Sequence, residues 1–365
     1  MRFSNSNIEE LLEKQKAGSL YCFGAGGELA GMLGQFGYLE WNKKLKGIAD
    51  NHRCGTTYKI GEAEYPVISP EELRSSIDSE DAILITSTYI YEIYRQLESY
   101  PELENTRCYI YRYMACAPLQ EQFDWEENKA YSIPPTIHYC WFGGGSLPDL
   151  YKRCMESWRR FCPDYEIKEW NEDNCDLNEN LFVRQAYDCG KYAFVSDYFR
   201  LKVVYEYGGI YLDTDVELLK NLDPLRKNEA YCGLMFPGVV ATGLGFGAMA
   251  HHIIIKRLMD LYQDRVFLKE DGRVYDTPCP ELETGAMVKW GMRGGNRTQV
   301  LEGMTIYPTQ VLNALDGYTG QLYKTENSFS VHHYAGSWVD KKRAFSRDLR
   351  HTQVKEIINE GKVLL

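Results

Sequence analysis

Short apolar segments alternate with segments of helical spacing from residue 19 to about residue 116, and this alternation constrains the fold more than any other feature. The first apolar segment, SLYCFGAG, leads directly into a helix-like segment, GELAGMLGQFG. The same order recurs through further predicted strands (KLKGIADN, DAILITST, TRCYIYRYM) and predicted helices (SPEEL with its Ser cap, YIYEIYRQLESY). Such alternation is typical of a parallel sheet with helices on its faces. We therefore expect an α/β fold with a parallel sheet domain over residues 1–117.

The glycine-rich turn FGAGG follows the first predicted strand. Gly24 and Gly26 fit a dinucleotide-binding loop, but Leu29 stands where that motif has its third glycine. Two interpretations stay open. The turn binds a ligand, with Asp50 at the end of the second strand as a ribose ligand, or it is a tight strand–helix turn without a ligand.

The length of the chain predicts a second domain. At 365 residues the chain exceeds what a single hydrophobic core commonly supports. The polar, acidic stretch 118–132 (PLQEQFDWEENKAYS) is the predicted linker. The second domain is then expected over residues 133–365, opening with the strand and glycine turn of IPPTIHYCWFGGG.

Charge and composition exclude several classes of protein. A net charge of -11 and a pI near 5.3 argue against a nucleic-acid partner. Neither a long apolar run nor an N-terminal signal core is present, so a cytoplasmic location is expected. The 11 cysteines are scattered without two-residue spacing, which argues against a zinc ribbon and favours free thiols. The basic segment 341–350 (KKRAFSRDLR) is either a solvated helix face or a contact with an anion, which would be diphosphate or anionic lipid at the inner face of the membrane.

The segment YEYGGIYLDTDVELL carries two closely spaced carboxylates, Asp213 and Asp215, which favour a bound cation. In a strand, Tyr211, Asp213, Asp215 and Glu217 would share one face. Two negative charges about 6 Å apart repel by roughly 3 kcal/mol at an effective dielectric near 20. A bound cation is the simplest way to hold such a pair together.

Two further segments are predicted to converge on these carboxylates. The helix AFVSDYFRLKVVYEYGG runs straight into them and carries Asp197 and Arg200 three positions apart, hence on one face. The late strand FSVHHYAGSW carries His332 and His333, which point to opposite faces, so at most one reaches a shared site. Two carboxylates and one imidazole suit a Mn²⁺-type ion.

Several motifs in order give the chain a family resemblance. IHYCWFGG, SWRRFCPDYEIKEWNED, YAFVSDYFRLKVVYEYGGIYLDTD and VHHYAGSW together resemble glycosyltransferase family 32 and are similar to the catalytic core of the clostridial glucosylating toxins. The likeness covers about residues 133–340 and implies a GT-A type nucleotide-diphospho-sugar transferase domain. The front part, through FGAGG, GIADN and YPVISPEEL, resembles the small Rossmann-like domain of some bacterial sugar-modifying enzymes.

The resemblance implies roles for individual residues. Asp197, Arg200, Asp213 and Asp215 would be the catalytic group, and Mn²⁺ or Mg²⁺ would be held by Asp213, Asp215 and His333, with His332 as the fallback. The remaining implied contacts are to the donor (Cys140 and Trp141 at the nucleobase, Asp197 and Asp213 at the sugar or ribose, Ser337 and Trp338 over the diphosphate) and to the acceptor (Thr284 and Gly285).

The expected function is a metal-dependent, retaining transfer of a sugar from a nucleotide-diphospho-sugar, with a UDP-sugar favoured. The acceptor would be a glycan or lipid-linked glycan in capsular or surface polysaccharide synthesis. No carboxylate stands out as a covalent nucleophile, so front-face attack is the working hypothesis. The alternatives are a non-catalytic nucleotide-sugar-binding scaffold, a haloacid-dehalogenase-like phosphatase built on YLDTDVEL, and an oxidoreductase built on FGAGG.

Overall fold

The computed structural model describes residues 2–3, 7–114, 121–125, 128–235, 238–275, 277–317, 320–336, 349, 352–353 and 356. The chain divides into two compact units. The N-terminal unit comprises Met1–Leu119, Arg293–Asn296 and Lys342–Leu365, and the second unit comprises Gln120–Met292 and Arg297–Lys341. The domain limits set from the sequence, 1–117 and 133–365, stay predictions.

The N-terminal unit is built on a seven-stranded sheet. Its strands are β1 (Arg2–Phe3), β2 (Leu20–Phe23), β3 (Leu45–Ala49), β4 (Thr57–Ile60), β5 (Ala63–Ile68), β6 (Ala82–Ile85) and β7 (Arg107–Ile110). Its helices are α1 (Ile8–Lys14), α2 (Gly27–Gln35), α3 (Trp41–Lys44), α4 (Pro70–Ser76), α5 (Ile90–Glu98) and α6 (Tyr111–Met114). The spatial order is β1-β7-β6-β2-β3-β5-β4, and all neighbours are parallel except the β4–β5 pair. The predicted α/β class with a parallel sheet is confirmed.

Asp50 holds the glycine-rich turn between β2 and α2. Its Oδ2 accepts a hydrogen bond from the N–H of Ala25 at 2.8 Å, and its Oδ1 accepts from the N–H groups of His52 and Arg53 at 2.8 and 3.0 Å. Gly24 has a φ of 115°, and a Cβ built there would lie 2.6 Å from the carbonyl oxygen of Thr86. These contacts favour the tight-turn interpretation, and a ribose-binding role of Asp50 stays a prediction.

The second unit contains a larger, mixed sheet. Its strands are β8 (Thr136–Cys140), β9 (Glu166–Trp170), β10 (Gly209–Tyr211), β11 (Val216–Leu218), β12 (Ala230–Met235), β13 (Val239–Val240), β14 (Phe246–Ala248), β15 (Gln299–Leu301), β16 (Met304–Tyr307) and β17 (Ser330–His332). Its helices are α7 (Asp149–Phe161), α8 (Leu181–Asp188), α9 (Tyr192–Tyr207), α10 (Ile253–Asp260), α11 (Cys279–Lys289) and α12 (Thr309–Leu312). The sheet order is β15-β16-β12-β14-β10-β8-β9 with β13 beside β12, while β11 and β17 form a separate antiparallel pair.

Helix α9 and its end are as the sequence predicts. The apolar stripe packs into the core, and the helix stops at Gly208, whose positive φ of 66° is a backbone angle that glycine adopts readily. The carbonyl oxygen of Gly208 accepts a hydrogen bond from Nε2 of the buried His138 on β8 at 2.9 Å. The end of α9 is thereby fixed to the sheet just before β10 begins.

The predicted linker is described only in part, because residues 118–120 and 126–127 lie outside the described residues. In the described part, Phe123 and Trp125 stack with ring centroids 4.9 Å apart and pack on a hydrophobic cluster of the second unit. Nε1 of Trp125 donates a hydrogen bond to Oδ1 of Asn327 at 2.8 Å. This part of the stretch therefore belongs structurally to the second unit.

Candidate active site

The two aspartates of the DTD motif lie in a turn, so the prediction that they sit on one strand is wrong. β10 ends at Tyr211 and β11 begins at Val216, and the turn is closed by the N–H of Val216 donating to the carbonyl oxygen of Asp213 at 3.0 Å. The reason is that β10 pairs within the large sheet, whereas β11 pairs with β17. The chain has to leave one sheet for the other, and Asp213 and Asp215 occupy that crossing.

The crossing places three potential metal ligands together. Ligand atoms of Asp213, Asp215 and His332 all lie within 4.8 Å of one another. Nε2 of His332 is 3.1 Å from Oδ1 of Asp215 and 4.0 Å from Oδ2 of Asp213. The antiparallel register that sets Val216 opposite His332 brings the imidazole to the turn.

Asp215 is additionally held by the chain that follows β17. Its Oδ2 accepts a hydrogen bond from the N–H of Ala335 at 2.8 Å, and its carbonyl oxygen accepts one from the N–H of His333 at 3.0 Å. Burial alone would raise the pKa of Asp215. The charge and hydrogen bond of His332, with the N–H of Ala335, outweigh burial and bring the pKa of Asp215 to about 2. The carboxylate is therefore ionised at neutral pH.

His332, the fallback ligand, is the histidine that the structure brings to the aspartates. His333 turns the other way, as neighbouring strand residues do, and its Nε2 lies 2.8 Å from Oε2 of Glu217. Two carboxylates and the imidazole of His332 form a mixed oxygen and nitrogen donor set, which fits Mn²⁺ and tolerates Mg²⁺ less well. The structure does not bring His333 into this set.

Helix α9 supplies a buried ion pair beside the turn. Nη2 of Arg200 is 2.9 Å from Oδ1 of Asp197 and 3.4 Å from Oδ1 of Asp213. Burial raises the pKa of Asp197, and the charge of Arg200 opposes that rise. Burial also raises the pKa of Asp213, against Arg200 and together with repulsion from Asp215. Asp197, Arg200 and Asp213 thus form one charge cluster, as the shared helix face of the first two predicts.

Tyr211 contributes to this cluster and was not anticipated in that role. Its hydroxyl donates a hydrogen bond to Oδ1 of Asp213 at 2.9 Å, and the Arg200 guanidinium lies 5.2 Å from the centre of its ring. Tyr211 is 1% exposed. Tyr211 stands two residues before Asp213, and in a continuous strand both side chains would lie on one face. β10 ends at Tyr211, however, so this alternation of faces does not extend to Asp213.

Cys140 and Trp141 lie at the end of β8. Cys140 is buried, and burial raises the pKa of its thiol, which interacts with Tyr211 and Arg200. Trp141 is half-buried: its N–H donates to the carbonyl oxygen of Trp170 at 2.9 Å, and its Nε1 donates to that of Gly145 at 2.6 Å. The indole is thereby fixed across the glycine-rich turn with part of its surface exposed.

The predicted acceptor residues Thr284 and Gly285 lie on α11. Oγ1 of the buried Thr284 accepts a hydrogen bond from the N–H of Val240 at 2.9 Å, whereas Gly285 is exposed. Thr284 therefore has a structural contact of its own, and an acceptor role stays a prediction. Ser337 and Trp338, predicted to cover the diphosphate, lie outside the described residues, as does nearly all of the basic segment 341–350.

Residues 148–232, which include helices α7 to α9 and the DTD turn, match the family model for a glycosyltransferase sugar-binding region containing a DXD motif. The match confirms the family resemblance over this segment.

Curated relatives share part of the chain. An inositol phosphoceramide mannosyltransferase 3 of Schizosaccharomyces pombe is 28% identical over 37% of this chain and 38% of its own length. An initiation-specific alpha-1,6-mannosyltransferase of Candida albicans is 30% identical over 30% of this chain and 31% of its own. The chain thus spans about a third of the length of these relatives. Among solved structures, the PaToxG glycosyltransferase aligns with 43% of this chain and 69% of its own at 20% identity and a TM-score of 0.32.

In the part of the chain that the structure describes, no helix combines the length and the apolar character needed to cross a membrane.

Proposed function

Because residues 148–232 match the family model for a glycosyltransferase sugar-binding region containing a DXD motif, we propose that this protein is a metal-dependent glycosyltransferase. It transfers a sugar from a nucleotide-diphospho-sugar, with a UDP-sugar favoured, to a glycan or lipid-linked glycan. The observation that carries the proposal is the convergence of Asp213, Asp215 and His332, whose ligand atoms lie within 4.8 Å of one another. A nucleotide diphosphate leaves readily only when its charge is neutralised, and this cluster can hold the ion that does so.

In this proposal each buried group has a stated task. Asp213, Asp215 and His332 hold Mn²⁺ or Mg²⁺, which when bound supplies Lewis-acid neutralisation of the leaving diphosphate. Arg200 bridges Asp197 and Asp213 at 2.9 and 3.4 Å and so keeps the Asp213 carboxylate turned toward the ion. Asp197 faces the donor sugar or ribose hydroxyls as an acceptor of hydrogen bonds.

The donor's base and the acceptor are placed by neighbouring elements. The exposed part of the Trp141 ring offers a flat surface for the nucleobase, beside Cys140 at the end of β8. The middle of α11, with Thr284 and Gly285, borders the acceptor side. We propose that the sugar is transferred with retention of configuration by front-face attack, with a departing diphosphate oxygen taking the acceptor's proton.

The biological setting is proposed on sequence grounds: synthesis of a capsular or surface polysaccharide at the cytoplasmic face of the membrane. The names of the relatives, which are mannosyltransferases of inositol phosphoceramide and of an initiating alpha-1,6 linkage, place mannose among the sugars to be tested.

The deciding experiment measures nucleotide release from a panel of UDP- and GDP-sugars, GDP-mannose included, with Mn²⁺ and with EDTA. The wild type is compared with Asp215→Asn and with Asp164→Asn, which alters an exposed carboxylate in a turn. We expect one donor to be hydrolysed slowly with metal, and the activity to be lost in Asp215→Asn and in EDTA but kept in Asp164→Asn.

The alternatives give different results in the same assay. A donor that raises the melting temperature without being consumed would establish the non-catalytic scaffold. Hydrolysis of a generic aryl phosphate with no donor turnover would establish the phosphatase. If no donor is consumed and none protects against unfolding, the transferase proposal is wrong.

A further inference from the structure

Glu283 is a completely buried carboxyl group on α11, at 0% exposure. Its Oε1 accepts a hydrogen bond from Oγ1 of Thr242 at 2.7 Å, and its Oε2 accepts one from the N–H of the same residue at 3.2 Å. Burial raises the pKa of Glu283 to about 7, against the opposing effects of Thr242 and Arg200. A buried polar group of this kind is tolerated when it is hydrogen-bonded, so its attachment to Thr242 is a specific feature of the fold.

Glu283 and Thr284 together hold the short stretch of chain from Val240 to Thr242. Thr284 accepts the hydrogen bond from the N–H of Val240, at the end of β13, and Glu283 holds Thr242, the first residue of the 3₁₀ turn Thr242–Leu244. Two consecutive helix residues therefore anchor two positions of the stretch. Because α11 is a regular helix of 11 residues, these hydrogen bonds attach the turn to a rigid element.

The turn lies directly against the charge cluster. A Cβ built on Gly243 would be 2.5 Å from Oδ2 of Asp213 and 3.1 Å from Nη1 of Arg200, so only glycine lets the backbone pass this closely. One helical turn before Glu283, the thiol of Cys279 lies 3.8 Å from the same Nη1. Helix α11 therefore contacts the cluster twice, directly through Cys279 and indirectly through the turn.

We propose that Glu283 is a positioning residue of the transferase: it holds the turn Thr242–Leu244 against Asp213 and Arg200 and so fixes the direction in which the Asp213 carboxylate faces the metal. This inference rests on the proposed function, because Asp213 is taken as a metal ligand. Glu283 is not among the proposed metal ligands, and its carboxylate accepts hydrogen bonds from Thr242. Its effect travels through Thr242 and Gly243.

The test measures Mn²⁺ affinity by the loss of the free Mn²⁺ signal in electron paramagnetic resonance, with thermal unfolding recorded for every variant. Glu283→Ala and Gly243→Ala should weaken Mn²⁺ binding by about tenfold or more, because the loss of a residue that orients a metal ligand commonly lowers metal affinity by that much. Glu283→Gln should stay within about threefold, because an amide can accept from the N–H of Thr242 and donate to its hydroxyl. Thr242→Val, which replaces the hydroxyl with a methyl group of similar size, serves if Glu283→Ala does not fold.

Two controls separate position from stability. Glu281→Ala removes an exposed carboxylate from the same helix, and Gly31→Ala adds a methyl group where no atom lies within 4 Å. Both should bind Mn²⁺ as the wild type does. Once the donor sugar nucleotide has been identified, Glu283→Ala should lower kcat more than it raises KM, and Glu283→Gln should restore kcat.

The outcomes distinguish this inference from the proposed function. A folded Glu283→Ala and a folded Gly243→Ala that bind Mn²⁺ as tightly as the wild type would overturn the positioning role alone. A wild type that binds no Mn²⁺ and consumes no donor would overturn the proposed function, and the positioning role with it.

Discussion

His138 makes the stability of the second unit depend on pH in a way that can be calculated. Its ring is 1% exposed, with Nδ1 accepting from Nε1 of Trp170 at 3.0 Å and Nε2 donating to the carbonyl oxygen of Gly208. Burial lowers the pKa of His138 from 6.5 to about 4, despite its bond to Gly208. The neutral ring is therefore built into the fold at the point where α9 is attached to β8.

The sign and size of the effect follow from linkage. Between pH 6.5 and pH 4 the unfolded chain binds a proton at this position and the folded chain does not, so stability falls as pH falls through that window. Lowering the pKa of His138 from 6.5 to about 4 corresponds to about 3 kcal/mol of unfolding free energy, of which about 2 kcal/mol is lost by pH 5. Above pH 6.5 the contribution is fully present and constant.

The assay is urea unfolding of the wild type, His138→Gln and His52→Gln from pH 4 to pH 7.5. The glutamine at 138 keeps a donor toward Gly208 but has no titrating ring, and His52 is an exposed histidine. The stability difference between wild type and His138→Gln should shrink by about 2 kcal/mol from pH 7 to pH 5, whereas His52→Gln should follow the wild type. A difference that is constant with pH, or an NMR titration placing the folded pKa of His138 near 6.5, would refute the reasoning.

Three further predictions concern single contacts. Gly209→Ala should destabilise the fold by at least about 1–3 kcal/mol in urea unfolding, because its φ is 106° and a Cβ would lie 2.8 Å from Nε2 of His138. His332→Ala should weaken Mn²⁺ binding by about tenfold or more in a resonance titration, while His333→Ala, which loses only the partly exposed contact with Glu217, should change it by less than about threefold. Asp50→Ala should lower the stability of the N-terminal unit by about 1–3 kcal/mol, since three backbone N–H groups lose their acceptor, and should leave nucleotide release unchanged.

Helix ends and buried strands were predicted correctly where they depend on residues close together in the sequence. The capping box at Ser69 and Glu72 begins α4, and Gly208 ends α9, both readable from a few neighbouring residues. Strand–helix alternation likewise predicted the parallel sheet, because neither β2 nor β6 can bury its apolar residues without helices on both faces. The pairing of Asp197 with Arg200 needed only the periodicity of a helix.

What the sequence left open depends on contacts between distant segments. The choice between His332 and His333 is decided by the register that sets Val216 opposite His332, 116 positions along the chain, and a shift of one residue would exchange the two rings. The DTD turn was mistaken for a strand because nothing local reveals that β10 and β11 join different sheets. The role of Glu283 could not be predicted from its neighbours in the sequence, because its partner, Thr242, belongs to another element. A glutamate among the buried positions of α11 is nevertheless a feature that indicates a specific polar contact.

The charges at the site give a reason for a divalent ion that is independent of any motif. Asp197, Asp213 and Asp215 carry three negative charges when ionised, and Arg200 supplies one fixed positive charge, which leaves an excess of two. In the protein alone, burial raises the pKa of Asp213, and for His332 the two aspartates outweigh burial and raise the pKa of the ring, so both groups bind a proton more readily than they would in water. Metal ligands must be deprotonated to bind, so a divalent ion competes with protons for these ligands. The buried Arg200 thus lowers the excess of negative charge at the cluster, because without it the same three carboxylates would carry an excess of three.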